Sequence, residues 1–162
     1  MNPRSPLPRP LALSIVFPIV LAGCGAPSQR QPTAASPERQ AESEYDLARD
    51  AFYKGRLREA LDHAQRANTL DEENAKALYF TAVIDLDFCA SEGMASPDCR
   101  LRGAEELTRK AIKADGQFRD ARNMLGQILI LEERYVDAMH VLEPLTKDPA
   151  YGANYLAWGN YG

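Results

Sequence analysis

An all-α array of paired helices is the fold this sequence predicts for its main part, and three observations predict it. From Ala41 onward alanine, leucine, glutamate and arginine dominate, and apolar residues recur at helical spacing. The pattern returns with a period of about 34 residues. Small residues then fall at the same three places of each period: Ala48, Ala60 and Ala67, then Ala82, Ala104 and Ala111, then Gly126 and Ala138, with Leu145 as the exception. An alanine-rich helical bundle without repeats would imitate one such unit, but not three in register.

The chain begins differently. Arg4 and Arg9 precede an apolar run from Leu11 to Leu21, and Leu21-Ala22-Gly23-Cys24 closes it. A positive flank, a short apolar segment and small residues are the layout of a secretory signal. A transmembrane helix is the alternative, but a span needs roughly 20 apolar residues, and Pro18 interrupts this run. An ordinary secretory signal cut nearby is a second alternative. With cysteine in last place, the segment resembles a bacterial lipoprotein signal. That resemblance implies removal of residues 1–23 and a lipid on Cys24.

The length of 162 residues then leaves room for one domain. Two arginines and no acid precede Cys24, so the remainder sets 17 basic against 23 acidic side chains, a net charge of about −6. A nucleic-acid partner needs a basic face and is not expected. Adhesion to anionic lipid is not expected either, so membrane contact falls to the acyl chains, at about 0.8 kcal/mol per buried methylene.

Residues 24–40 hold no large apolar side chain after Cys24. They are expected to form a flexible linker, whose sixteen residues beyond the cysteine reach roughly 50 Å when extended.

The units follow in order. The first, residues 41–74, has Leu47 and Ala48 in its first helix, Gly55 at its turn, and Ala60 and Ala67 in its second helix. The second, residues 75–118, has Leu78 and Ala82 in the first helix and Ala104 and Ala111 in the second, with about ten extra residues between them. The third, residues 119–154, carries Leu125-Gly126, Leu129, Ala138 and Leu142. A fourth opens over residues 155–162 with Trp158, Tyr161 and Gly162. The segment from Ala51 to Leu61 resembles the helix–turn–helix centre of the tetratricopeptide repeat. The resemblance implies a right-handed helical solenoid whose first helices line a concave groove. At the lining positions stand Tyr45, Arg49, Phe52 and Tyr53 in unit one, Tyr79, Val83 and Leu86 in unit two, and Asn123, Gln127, Ile130 and Leu131 in unit three. Such a lining, aromatic and aliphatic with a few polar points, suits a polypeptide with apolar anchors. Ile130 and Leu131 are equally open to packing against further repeats. Chaperone-binding members of the superfamily hold a terminal carboxylate with Lys, Asn and Arg, a set that Asn123 and Arg49 only partly echo.

The insert of unit two carries Cys89 and Cys99. With Cys24 lipidated, these remain as a pair, and a pair of thiols in an exported protein points to a disulfide. It would close a widened turn and contribute roughly 2–3 kcal/mol. Enzymatic chemistry finds no anchor. His63 and His140 both read as exposed or half-buried helix residues, and Asp85 and Asp87 read as solvated charges that share no helix face. No Ser–His–Asp set, metal-ligand cluster or phosphate-binding glycine loop stands in the sequence. The expectation is a binding protein with no catalytic residue, metal, cofactor or small-molecule substrate.

One family combines these features. With Cys24, the linker and the repeats, the stretch Leu142-Glu-Pro-Leu-Thr-Lys-Asp-Pro149-Ala-Tyr151, followed by Tyr155-Leu-Ala-Trp158-Gly-Asn-Tyr161-Gly162, resembles the type IV pilus biogenesis lipoproteins, or pilotins. Tyr161 stands where leucine is usual, and the cysteine pair departs from the family pattern. The resemblance implies a lipid-anchored protein at the inner leaflet of the outer membrane that binds secretin subunits and promotes their localisation and assembly for pilus-dependent motility. Gly25, in place of the aspartate that retains lipoproteins at the inner membrane, agrees with that destination. It also leads one to expect further repeats beyond Gly162, so that the chain is a piece of a longer protein. The competing reading is a lipoprotein of outer-membrane barrel assembly or a general periplasmic scaffold.

Overall fold

The computed structural model describes residues 35–161. The signal segment, the lipidation site Cys24, the linker as far as residue 34, and Gly162 lie outside the described residues. Seven helices follow one another, with no strand among the described residues: α1 (Pro37–Tyr53), α2 (Leu57–Leu70), α3 (Ala75–Glu92), α4 (Leu101–Ala114), α5 (Arg119–Leu131), α6 (Tyr135–Thr146) and α7 (Asn154–Tyr161). Each packs on its neighbour in sequence, and first helices of successive units also touch, α1 with α3 and α5 with α7.

The first helix starts earlier than expected. Pro37 to Gln40, assigned to the linker by composition, form its opening turn. Proline at the first helical position loses no intrahelical hydrogen bond, and Glu38 in the first turn suits the positive end of the helix dipole. Ala41, fully buried, anchors that turn to the fold.

Small side chains set the spacing within each pair. Ala48, Ala60, Ala67, Ala82, Ala104, Ala111 and Ala138 are all buried, as is the larger Leu145. Gly126 marks a close approach. A methyl group there would overlap the buried side chain of Leu142 on α6, and overpacking of this kind costs typically about 1–3 kcal/mol. The larger apolar residues fill the space between units. Phe80, Ile84 and Phe88, one turn apart along α3, pack against Ala60, Ala64, Leu57 and Leu61 of α2. Met124 and Ile128 of α5 repeat the arrangement against Ala104 and Leu101 of α4.

Turns one and three share a geometry. Gly55 (φ 73°) and Glu133 (φ 61°) are both left-handed. In each turn three consecutive backbone N–H groups return to the end of the preceding helix: Lys54, Gly55 and Arg56 to Asp50, Phe52 and Ala51, and Glu132, Glu133 and Arg134 to Ile128, Ile130 and Leu129. Glycine adopts this backbone freely, whereas an L-residue is strained there by roughly 1–2 kcal/mol. Elsewhere, Asn74 caps α3 by accepting from the Ala77 N–H at 3.1 Å, satisfying a donor that the helix itself leaves free.

Exposed Glu133 therefore carries strain that its side chain does not offset. Glu133→Gly is expected to stabilise the protein by about 0.5 kcal/mol or more, the relief of strain exceeding glycine's larger unfolded-state entropy. Urea denaturation checks this, and an unchanged or lower midpoint would remove the assignment of strain.

Candidate functional site

The first helices carry the groove residues expected from the sequence, and the structure divides them. Tyr53 is exposed (75%). Phe52 and Tyr45 are half-buried, each edge-on to the Phe80 ring at 5.4 and 5.7 Å. They are part shelf and part core. The Arg49 guanidinium lies over the Tyr45 ring at 5.7 Å and approaches Asp46 at 3.8 Å. Tyr79 packs against Phe118 with the rings tilted and their centroids 4.8 Å apart, and burial pushes its hydroxyl above the usual tyrosine range. Val83 lies within the packing between units. Asn123 is buried (6%), and its side-chain oxygen accepts from the Asn160 amide of α7 at 3.1 Å. It fastens α7 to α5.

Leu86 and Gln127 meet elsewhere, at the C-terminal ends of α3 and α5. There an apolar hollow of about 550 Å³ opens between Leu86, Cys89 and Ala90 of α3, Gln127, Ile130 and Leu131 of α5, Met94 of the insert, and Asn160 of α7. Leu131 and Met94 are each about half exposed at its rim. The amides of Gln127 and Asn160 are its polar points, and no charged side chain lines it. Cys89, Ala90, Met94 and Asn160 were not legible as groove residues. The insert reads in sequence only as a long turn, and its length was the one signal that a wall had been added. A larger hollow of about 620 Å³ lies between α2 and α4, but Glu72, Glu73, Lys110 and Lys113 line it and leave it polar.

The insert is tied down residue by residue. Cys99 is disulfide-bonded to Cys89 (S–S 2.10 Å). Arg100 donates to Asp85 at 2.5 Å, and Asp98 accepts from Arg58 of α2 at 2.5 Å. Asp85 therefore departs from its expected role as a solvated charge. It is 2% exposed on the face of α3 that meets α4. Burial raises its carboxyl above the ordinary value, and Arg100 opposes that shift without cancelling it.

His63 is half-buried, its Nδ1 2.7 Å from Glu44, which also accepts from Arg66 at 3.0 Å. These contacts tie α2 to α1. His140 is exposed on α6. Among the described residues no group of three His, Cys, Asp or Glu is placed to hold a metal ion, and no helix is long and apolar enough to cross a membrane.

No protein-family model and no curated protein sequence matches the chain. Solved structures do. The chain is similar to the tetratricopeptide domain of Arabidopsis OM64 (TM-score 0.63, 18% identity, 77% of this chain and 96% of that one). It is similar to the TPR2B domain of yeast Sti1, solved as a complex with pHsp70 (TM-score 0.65, 16% identity, 76% and 94%). It is also similar to pilF of Pseudomonas aeruginosa (TM-score 0.62, 20% identity, 78% and 53%). The fold is a tetratricopeptide-type solenoid.

The Glu44 cluster makes stability depend on pH. The hydrogen bond from His63, with help from Arg66, holds the Glu44 carboxyl below its ordinary 4.5. A carboxyl so lowered stabilises the fold above its unfolded value and loses that contribution as pH falls through the folded value. Glu44→Gln is expected to flatten the decline of melting temperature below about pH 4.5 and, as a partly exposed pair, to cost no more than about 1 kcal/mol at neutral pH. Melting curves from pH 3 to 7 check this; parallel profiles for the two proteins would contradict it.

Proposed function

We propose that this chain is a lipid-anchored, protein-binding solenoid of the periplasmic side of the outer membrane, which holds secretin subunits and promotes their assembly for type IV pilus biogenesis. The observation that carries the binding role is the apolar hollow at the ends of α3 and α5, lined by Leu86, Met94, Ile130 and Leu131. The solenoid fold it shares with pilF of Pseudomonas aeruginosa, together with Leu21-Ala22-Gly23-Cys24 at the head of the chain, supports the narrower reading.

Binding would rest on apolar anchors. Full burial of a leucine or phenylalanine side chain contributes about 1.5–3 kcal/mol, of which lost freedom on association takes a share. The hollow has room for one or two such side chains, and Gln127 and Asn160 can pair with the backbone that carries them. Capture of a terminal carboxylate finds less support. Arg49 lies against Tyr45 and Asp46, and Asn123 is buried against Asn160. The protein acts by holding and placing its partner, with no bond made or broken.

Deleting the gene separates the proposal from its competitors. Lost secretin multimers with normal porins are the expected result, and depressed porins would point to barrel assembly. Cys24→Ala is expected to move the protein from the membrane to the soluble fraction and to abolish secretin rings at the outer membrane; unchanged fractionation would contradict the anchor. For the groove, Leu131→Ser combined with Tyr53→Ser is expected to weaken binding of a purified secretin subunit about tenfold or more, with the helical circular dichroism retained. Equal affinity for variant and parent would move the binding surface elsewhere.

A further inference from the structure

Three consecutive residues, Asp98, Cys99 and Arg100, are each tied to a different place. Asp98 is bound by Arg58 of α2, Cys99 by Cys89 of α3, and Arg100 by Asp85 of α3. Asp85 and Cys89 lie one turn apart on the same helix, so the ionic and covalent ties run side by side. Cys89, with Ala90 and Met94 beyond it, is also a wall of the apolar hollow. We propose that the Cys89–Cys99 bond is a redox-operated latch. Oxidised, it holds Arg100 on the buried Asp85 and keeps the wall of the hollow in place; reduced by a dithiol, it releases both.

The geometry explains why the ion pair depends on the disulfide. Arg100 immediately precedes α4 in a non-helical conformation (φ −110°, ψ 58°). Its carbonyl accepts the first hydrogen bond of α4, from the Ala104 N–H at 2.9 Å; but whereas the N–H groups of Arg56 and Arg134 bond back to Ala51 and Leu129 of the preceding helix, Arg100 is joined to α3 through the adjacent Cys99. A buried ion pair gives back its desolvation cost only when its geometry is well held, and burial already lifts the Asp85 carboxyl even with Arg100 beside it. No other cation stands ready. Around this corner α2 presents Arg58 and Asp62, and the insert presents Asp98. Arg58 is already engaged by Asp98 at 2.5 Å and Glu92 at 3.8 Å.

The chemistry needs a dithiol as reductant. Cys89 is buried and Cys99 half-buried, so the thiolate of the dithiol attacks the Cys99 Sγ. The S–S bond breaks and Cys89 departs as a thiolate, which takes up a proton. The second thiol of the reductant attacks the mixed disulfide, frees Cys99 as a thiol and closes its own disulfide. Two electrons and two protons have passed to the protein.

The functional consequence rests on the reading of the hollow as a partner site, whereas the latch itself does not, and the experiment separates them. The full chain is treated with dithiothreitol, and the freed thiols are counted. With both thiols free, amide exchange over residues 90–104 is expected to rise about tenfold or more while α1, α2 and α6 keep their protection. The Asp85 carboxyl, followed by carbon NMR, is expected to titrate about one pH unit or more higher. Arg100→Gln in the oxidised chain should reproduce that titration, and reduction should not shift it further. Unmoved exchange and titration with both thiols free would overturn the latch; so would general loss of helix on reduction, which would make the bond a global staple. If the latch opens and binding of the secretin subunit falls, both readings stand. If it opens and binding is unchanged, the latch stands and the hollow is not the partner site.

Discussion

The rest of the structure depends on how closely the two helices of each unit approach. Where Gly126 of α5 faces Leu142 of α6, no space remains for even a methyl group. The alanines at the equivalent places in units one and two are fully buried. Small side chains at these crossings remove the need for large ones inside a pair. The large apolar residues of α3 and α5 can then act between units, where Phe80, Ile84 and Phe88 interleave with Leu57 and Leu61. A solenoid is stabilised in this way, by unit interiors and by interfaces between nearest neighbours. Widening one pair would also displace the first helices from one another, and the aromatic shelf and the hollow are built across those helices.

Unit two follows the rule in its helices and departs from it in its turn. Units one and three close with a short turn containing one left-handed residue, Gly55 or Glu133. The insert removes that turn and, with it, the backbone hydrogen bonds that fix how the second helix enters. Arg100 heads α4 as Arg56 and Arg134 head α2 and α6, without a side-chain cap and with its carbonyl accepting the first helical bond. The lost constraint is supplied from outside the backbone by the disulfide, the Asp85–Arg100 pair and the Arg58–Asp98 pair. The same elongation carries Met94 to the rim of the hollow. One insertion thus accounts both for the unusual ties and for the wall they hold.

The pairing of helices was legible because it depends on residue size at fixed intervals, which a linear pattern records. Side-chain partners were less so, though the register held more than was drawn from it. Asp85 lies three residues after Ala82, and Asn123 three residues before Gly126. In a helix that spacing puts each on the face already assigned to the interior. The Asp85 partner, Arg100, stands beyond the insert, so spacing within α3 does not show it. Asn123 stands at a groove position of the repeat, whereas its partner, Asn160, belongs to the next unit. The start of α1 was missed for another reason. Pro37 to Gln40 have the composition of a linker, and they are helical because Ala41 behind them is anchored.

The distribution of charge bears on what the groove can recognise. Several basic side chains of the solenoid are committed within the protein. Arg134 bonds Glu105, Glu132 and Asp137, Arg119 bonds Asp148, and Arg49 is held by Tyr45 and Asp46. The hollow between α3 and α5 is left with apolar walls and two amides. A partner that relied on a terminal carboxylate would find no cation in that lining, and pairing with Arg49 would compete with Asp46. A partner bringing a leucine or an aromatic side chain disturbs none of these pairs. Under the proposed function, selectivity comes from shape and from the spacing of anchors along the partner, and the acidic character of the chain acts against unwanted polyanions without entering the contact itself.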